Sequence, residues 1–417
     1  YEIRLSLVGS EMCIRDREYA KLIAKAGANV QKGQEVFITA ELDQPEFVAM
    51  VVDECYKLKA KKVVVDWSYQ PLTKLHVRYR SVKTLSTLDN YEEARWQHYV
   101  DTIPCRIYLI SEDPDGLRGV NQEKMAKSQQ AKYPIIKGYR DQIENKYQWC
   151  IAAVPGEKWA KKLFPELRAS QAVEKLWEAI LKTSRVTGDP IKAWEDHNRD
   201  LHDRCEYLNK LHIRELRYKS SNGTDFTVGM IPEAQFCGGG ETSLQGIFFN
   251  PNIPTEECFI SPMRGVAEGI VYATKPLSYQ GQLISGFWIR FHEGKAVEWH
   301  AEENNELLTK LIEMDEGSRY LGECALVPFD SPINQTGLLF YNTLFDENAC
   351  CHLALGMGFA DTIRDFRNKT LDECRKLGVN DSMIHEDFMI GSADLSIDAV
   401  CEDGKTVAIF RNGTWAF

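Results

Sequence analysis

The chain has 417 residues, of which 44% are hydrophobic and 11% aromatic, and its formal net charge is −11. That is more length than one ordinary core serves and enough apolar side chain to bury sizeable cores, so two domains are expected and disorder is excluded. An acidic surface without any Lys/Arg block argues against nucleic acid, and no apolar run reaches the ~18 to 20 residues of a membrane span, which excludes a membrane partner of that kind.

The first sixteen residues could pass for a short leader, but they contain neither a proper hydrophobic stretch nor a small-residue cleavage site. Leu7 to Asp16, LVGSEMCIRD, resembles the translation of an adapter used in sequencing-library preparation. Residues 1–16 are therefore read as an artefact, with the true start missing, and fold reasoning begins near Arg17.

From Glu18, Tyr19, Leu22, Ile23 and Ala26 recur at helical spacing and Gly27 closes the helix. A short strand at Val36 to Ile38, a helix at Gln44 to Leu58 and a β-branched strand at Lys62 to Trp67 make a βαβ unit, which points to a parallel sheet. The alternation continues with a helix at Tyr91 to Tyr99, a strand at Arg106 to Ile110, a long helix from about Gln122 to Ile143 and a strand at Trp149 to Val154. Helices follow at Gln171 to Thr183 and Ile191 to Leu211. His197, His202 and His212, in or just after the last of these, have no ligand pattern around them and read as surface or capping histidines.

Near residue 215 the texture changes. Ser221-Asn222-Gly223 is a hairpin signal, Phe226, Val228 and Met230 alternate, and short strands follow at Gly269 to Ala273, Leu283 to Phe291 and Ala296 to His300. The expected architecture is α/β: an N-terminal α/β domain with βαβ units over residues 17–214, and a C-terminal α+β domain over 215–417 that carries the chemistry.

Several motifs fail on inspection. Gly238-Gly239-Gly240 lacks dinucleotide spacing, and Gly404-Lys405-Thr406 has Ala399 where a phosphate loop needs glycine, so it reads as a hairpin turn after Asp403. His385-Glu386 opens like HExxH, but the second histidine position holds Met389. No GxSxG elbow is present, which disfavours a serine hydrolase. The twelve cysteines form no CxxC pair and read as free thiols of a reducing, cytoplasmic compartment.

What remains is a set of acidic and imidazole groups amid apolar runs. Asp346, Glu347 and His352 fall within LLFYNTLFDENACCHLALGMG, and buried charge needs a partner or a cation. On a strand, His385 and Asp387 would face one side while Glu386 faces the other. Only one of Glu256 and Glu257 can face a given site, and Glu323 lies between apolar residues. Singly, each of these carboxylates reads as a cap or a salt-bridge partner; together they suggest a divalent-metal site that activates water.

The segments NIPTEECF, TKPLSYQGQLI, DEGSRYLGECALVP, SPINQTGLLFYNTLFDENACCHLALGMGF and HEDFMIGSADLSID resemble the thermophilic-type metallo-aminopeptidases, the aminopeptidase T and aminopeptidase S family, and the likeness extends through NVQKGQEVFI and AVEKLWEAI. The resemblance implies a homodimeric peptidase that acts on peptides with a free N-terminus through two divalent cations. Matched motif by motif, it places metal ligands at Glu257, Glu323, His352, His385 and Asp387, with Glu347 as a sixth. Glu257 is preferred to Glu256 because the family's ligand is followed two residues later by an aromatic, here Phe259. Carboxylate and imidazole donors without thiolate suit Zn, Co or Mn and tolerate Mg. Glu323 or Glu347 would handle the proton. Where the family carries a catalytic tyrosine, this chain has Phe359, which cannot donate to an oxyanion; Tyr341 or a water would substitute, or the chain is a weak or inactive metal-binding relative. A nucleotide-dependent enzyme built on the βαβ unit is the remaining alternative, disfavoured by the missing glycine fingerprint.

Overall fold

The computed structural model describes residues 14–417, so most of the adapter-like stretch lies outside the described residues. Where the sequence suggests one boundary near residue 215, the contacts divide the chain into two compact units that are both discontinuous. The first comprises the described residues up to Val120, Pro134–Asn198 and Gly240–Thr255, and the second Asn121–Tyr133, Arg199–Gly239 and Glu256–Phe417.

The first unit is built on a five-stranded parallel sheet in the order Lys62–Ser68, Glu35–Glu41, Cys105–Ile110, Trp149–Ala153, Asn252–Ile253. The expected βαβ unit is present: helix Pro45–Lys57 connects the first two strands of the chain, which pair in parallel from Glu35↔Lys62 to Glu41↔Ser68. That helix starts at a proline, whose fixed φ suits the first helical position and whose missing N–H is no loss there. Helix Gln70–Tyr79 has no inner stripe for a sequence reading to find, because Leu72, Leu75 and Tyr79 all remain exposed. The edge strand Asn252–Ile253 is also unforeseen: at two residues it is too short to show a period, and it brings a late stretch of chain back to this sheet. His197 corrects its reading as a surface or capping residue, since it is buried against Trp194 with Nε2 2.8 Å from the carbonyl of Thr255.

The second unit combines a nine-stranded sheet with a four-stranded antiparallel one. The hairpin signal holds: Lys219 pairs with Asp225 across a turn in which Gly223 takes φ +105° and the amide of Thr224 donates to Asn222 Oδ1. Gly404, at φ +81°, turns between the paired strands Ser396–Cys401 and Thr406–Arg411, as the Asp403 reading expected. One large apolar core, including Phe226, Phe287, Ile289, Leu353, Phe388 and Phe410, packs within this unit and supports the small sheet from one side. All eleven cysteines among the described residues are free, and no helix there is long and apolar enough to cross a membrane.

Candidate metal centre

The small sheet runs Cys258–Ile260, Leu321–Leu326, His352–Gly356, His385–Met389. Opposed residues in an antiparallel pair point to the same face, and successive residues alternate. The registers Phe259↔Ala325, Ala325↔His352, Glu323↔Ala354, Ala354↔Asp387 and Gly356↔His385 therefore put Glu323, His352, His385 and Asp387 on one face. Ala325, Ala354 and Gly356 lie between them on that face, and these small residues leave room above the sheet. Cys258, Ile260, Cys324, Leu326, Leu353, Leu355 and Phe388 belong to the core on the other side. The pattern of acid and imidazole alternating with apolar residues is thus what allows one sheet to be a core layer below and a polar cluster above.

Glu257 joins the cluster from the residue before the first strand. Its Oε2 lies 3.2 Å from His352 Nε2, while His385 Nε2 lies 3.0 Å from Glu323 Oε2. Asp387 Oδ1 sits 3.4 Å from His385 Nε2 and 3.9 Å from His352 Nε2. Each imidazole turns its other nitrogen to backbone: Nδ1 of His352 donates to the carbonyl of Cys350 at 3.3 Å, and Nδ1 of His385 to that of Met357 at 2.7 Å. Carbonyls only accept, so the proton of the neutral ring is held at Nδ1 and the Nε2 lone pair is presented to the cluster, as in metal-binding histidines.

Burial and mutual repulsion dominate the electrostatics. Burial pushes Glu323 up to about 7, against the pull of His385 and with the help of Glu257 and Asp387. Burial likewise pushes Glu347 well up, reinforced by Asp387, Glu257 and Glu323. For His352 burial works downward, but the hydrogen bond it donates to Glu257 and the charges of Asp387, Glu257 and Glu323 overcome it and raise the imidazole to about 9. Negative groups crowded out of water in this way are stabilised by protons or by a cation.

The residues fit a divalent cation. Asp387 Oδ1 is buried and makes no hydrogen bond of normal geometry. Glu257, Glu323 and His352 present ligand atoms mutually within 4.8 Å, and so do Glu323, His385 and Asp387. The donor set is oxygen and imidazole nitrogen only.

The profile of the family described as "Thermophilic metalloprotease (M29)" matches residues 15–415. This chain belongs to that family. Among curated relatives, Aminopeptidase AmpS of Bacillus subtilis (strain 168) is 39% identical over 401 residues, 96% of this chain and 98% of that protein. Aminopeptidase 2 of Geobacillus stearothermophilus is 39% identical over 402 residues, 96% and 97% of the two chains. The solved structure "Wild-type AmpT from Thermus thermophilus" superposes with a TM-score of 0.86 at 36% identity, covering 97% of this chain and 99% of that one.

Around the five clustered groups, the remaining candidates of this M29 metalloprotease take different places. Glu347 stands in a single turn, Glu347–Ala349, ahead of the His352 strand; it is outside both ligand-distance groups but near enough to Asp387 for that carboxylate to help raise it. Phe359 stacks at a tilt on the His385 ring, centroids 4.7 Å apart, and meets Phe259 edge-on at 5.6 Å. Asp346 is not part of the cluster: its two oxygens accept from the backbone N–H groups of Phe340 and Asn342 at 2.8 and 3.0 Å, tying down a loop in which Tyr341 takes φ +54°. Asn348 went unnoticed in the sequence, because nothing about an asparagine beside Glu347 signals a partner 92 positions away.

Proposed function

We propose that this metallo-aminopeptidase removes N-terminal residues from peptides at a centre for two divalent cations. The observation that carries the two-ion reading is that Glu323 belongs to both ligand-distance groups. Glu257 and His352 would hold one ion, His385 and Asp387 the other, and Glu323 would lie between them. When bound, such ions supply Lewis-acid polarisation of a carbonyl and lower the pKa of water. The donor set suits Zn, Co, Mn or Mg.

The protein's own groups divide the remaining work. With Glu323 committed to the ions, Glu347 is our choice for the proton carrier: it lies beside the cluster, and its Oε1 accepts from the amide of Asn348 at 3.2 Å. It would take a proton from the attacking water and return it to the leaving amine. The carbonyls of Cys350 and Met357 hold both imidazoles in the binding tautomer, and the rings of Phe259 and Phe359 form an apolar wall beside His385. Restriction to free N-termini would come from holding the substrate's α-amine at the same acidic centre, and the names of the relatives support that choice of substrate. We place the enzyme in the cytoplasm, as a homodimer; its free thiols support a reducing compartment. Phe359 favours a slower enzyme, while the convergence of the ligand-type groups favours a catalytic one over a binding-only relative.

The test is hydrolysis of aminoacyl-arylamides by protein stripped with chelator and reloaded with Zn, Co, Mn or Mg. Activity that vanishes on chelation, returns with metal and is absent on N-acetylated substrates is expected. Silence with every metal, at two ions bound per chain, would overturn the catalytic reading; one ion bound at full activity would overturn the two-ion one.

A further inference from the structure

Glu257 and Glu347 reach the centre from parts of the chain 90 residues apart, and one side chain joins them. Asn348 is fully buried. Its Nδ2 donates to Glu347 Oε1 at 3.2 Å and to the carbonyl of Leu344 at 3.0 Å, while its Oδ1 accepts the backbone N–H of Glu256 at 2.7 Å. A primary amide is the side chain that can do this, since it carries two donors and an acceptor on one rigid plane. The acceptor arm holds the backbone N–H of the residue immediately before Glu257, and the donor arm fixes one oxygen of Glu347.

We propose that Asn348 is a positioning residue of the peptidase, which sets the Glu347 carboxyl and the Glu257 ligand relative to each other through a single planar amide. The inference rests on the functional reading above and adds a residue that touches neither substrate nor ion. Its two arms make separable predictions. Aspartate is isosteric with asparagine and keeps an acceptor for the Glu256 N–H, but turns an oxygen toward Glu347 in place of the donor. Leucine has nearly the same shape and removes both arms.

In the holoenzyme, Asn348→Asp is expected to lower kcat by roughly 10- to 100-fold, the usual cost of losing such a supporting partner. KM should stay within about two-fold, and the acid limb of the kcat–pH profile should move upward, because a second carboxyl beside Glu347 favours its protonated form. Asn348→Leu should in addition weaken calorimetric binding of Mn²⁺ to the metal-free protein by about 10- to 100-fold, which Asn348→Asp should not. If Asn348 acts through Glu347, the double variant Glu347→Gln/Asn348→Asp should be no slower than Glu347→Gln alone.

Thermal unfolding of each variant shows whether it is folded, and Asn348→Ala replaces Asn348→Leu should that variant fail to fold. Additive losses in the double variant, an unmoved pH profile, or unchanged Mn²⁺ affinity in the variant lacking both arms would overturn the proposal. A wild-type protein without chelator-sensitive activity would instead sink the functional reading, leaving the Mn²⁺ titrations to decide whether Asn348 orders the centre.

Discussion

Replacing Gly356 by alanine should disable the centre without touching any of its side chains. Gly356 pairs with His385 on the ligand face and holds φ +102°, a conformation that L side chains rarely adopt. Forcing a Cβ into such backbone costs about 1 to 3 kcal/mol. The added carbon would also stand 2.1 Å from the carbonyl oxygen of Ile384 and 2.8 Å from its carbonyl carbon. Real contacts of this kind stay beyond 3.0 Å, so backbone must give by 3.0 − 2.1 = 0.9 Å. The atoms in the way are main chain immediately before His385, so the relief has to come from moving the histidine strand. A displacement of about 1 Å at a reacting centre can cost on the order of 10²-fold in rate. Gly356→Ala is therefore expected to lose about 2 kcal/mol or more in thermal or denaturant unfolding. Its kcat/KM on an aminoacyl-arylamide should fall about 100-fold even at saturating metal. A variant that unfolds at the wild-type temperature and works at the wild-type rate would refute the argument that this contact sets the position of His385.

Phe359→Tyr should raise kcat by as much as about 10²-fold if an oxyanion donor is missing, because one such donor is typically worth 10²- to 10³-fold; steady-state kinetics that do not change would show that the position is unused. Metal uptake at pH 7.5 should release protons into weak buffer, since His352, raised to about 9 by its acidic neighbours, must give up its proton to bind; zero release on calorimetric titration in buffers of different ionisation heat would contradict this. In the metal-free protein, stability from the raised His352 is complete below its unfolded value near 6.5 and is lost as pH rises through 9. Glu323, raised to about 7 by burial, likewise makes the metal-free fold lose stability as pH rises between its unfolded value and 7. Melting temperature should therefore fall from pH 6 to 9 without metal and hold with it, and parallel curves would disprove the account. Asp346→Ala should cost roughly 1 to 3 kcal/mol by stranding the N–H groups of Phe340 and Asn342, while leaving metal stoichiometry intact.

Much of the first unit could be read from periodicity, because strands such as Lys62–Ser68 and helices such as Ala169–Thr183 carry their apolar pattern in one continuous stretch. The two-residue spacing of His385 and Asp387 was legible for the same reason: a strand repeats every second residue. What could not be read was partnership between distant strands. Whether Glu256 or Glu257 faced the cluster depended on the register Cys258↔Leu326 and on Asn348 taking the amide of Glu256. Asp346 looked like a member of the cluster because it adjoins Glu347, yet its oxygens are satisfied by amides four and six positions earlier. The return of Asn252–Ile253 to the parallel sheet was hidden because an isolated two-residue strand is specified by its neighbour rather than by its own composition.

The order in which the clustered groups enter the chain has a consequence for biosynthesis. Glu257, Glu323 and His352 emerge first, but His385 and Asp387 come from the last strand of the small sheet. A ribosome must deliver that strand, and the chain must fold it against the His352 strand, before the second ligand-distance group exists. On the two-ion reading proposed above, a peptidase assembled in this order would stay silent through most of its own synthesis, and half-made copies would present no second metal site to the peptides around them.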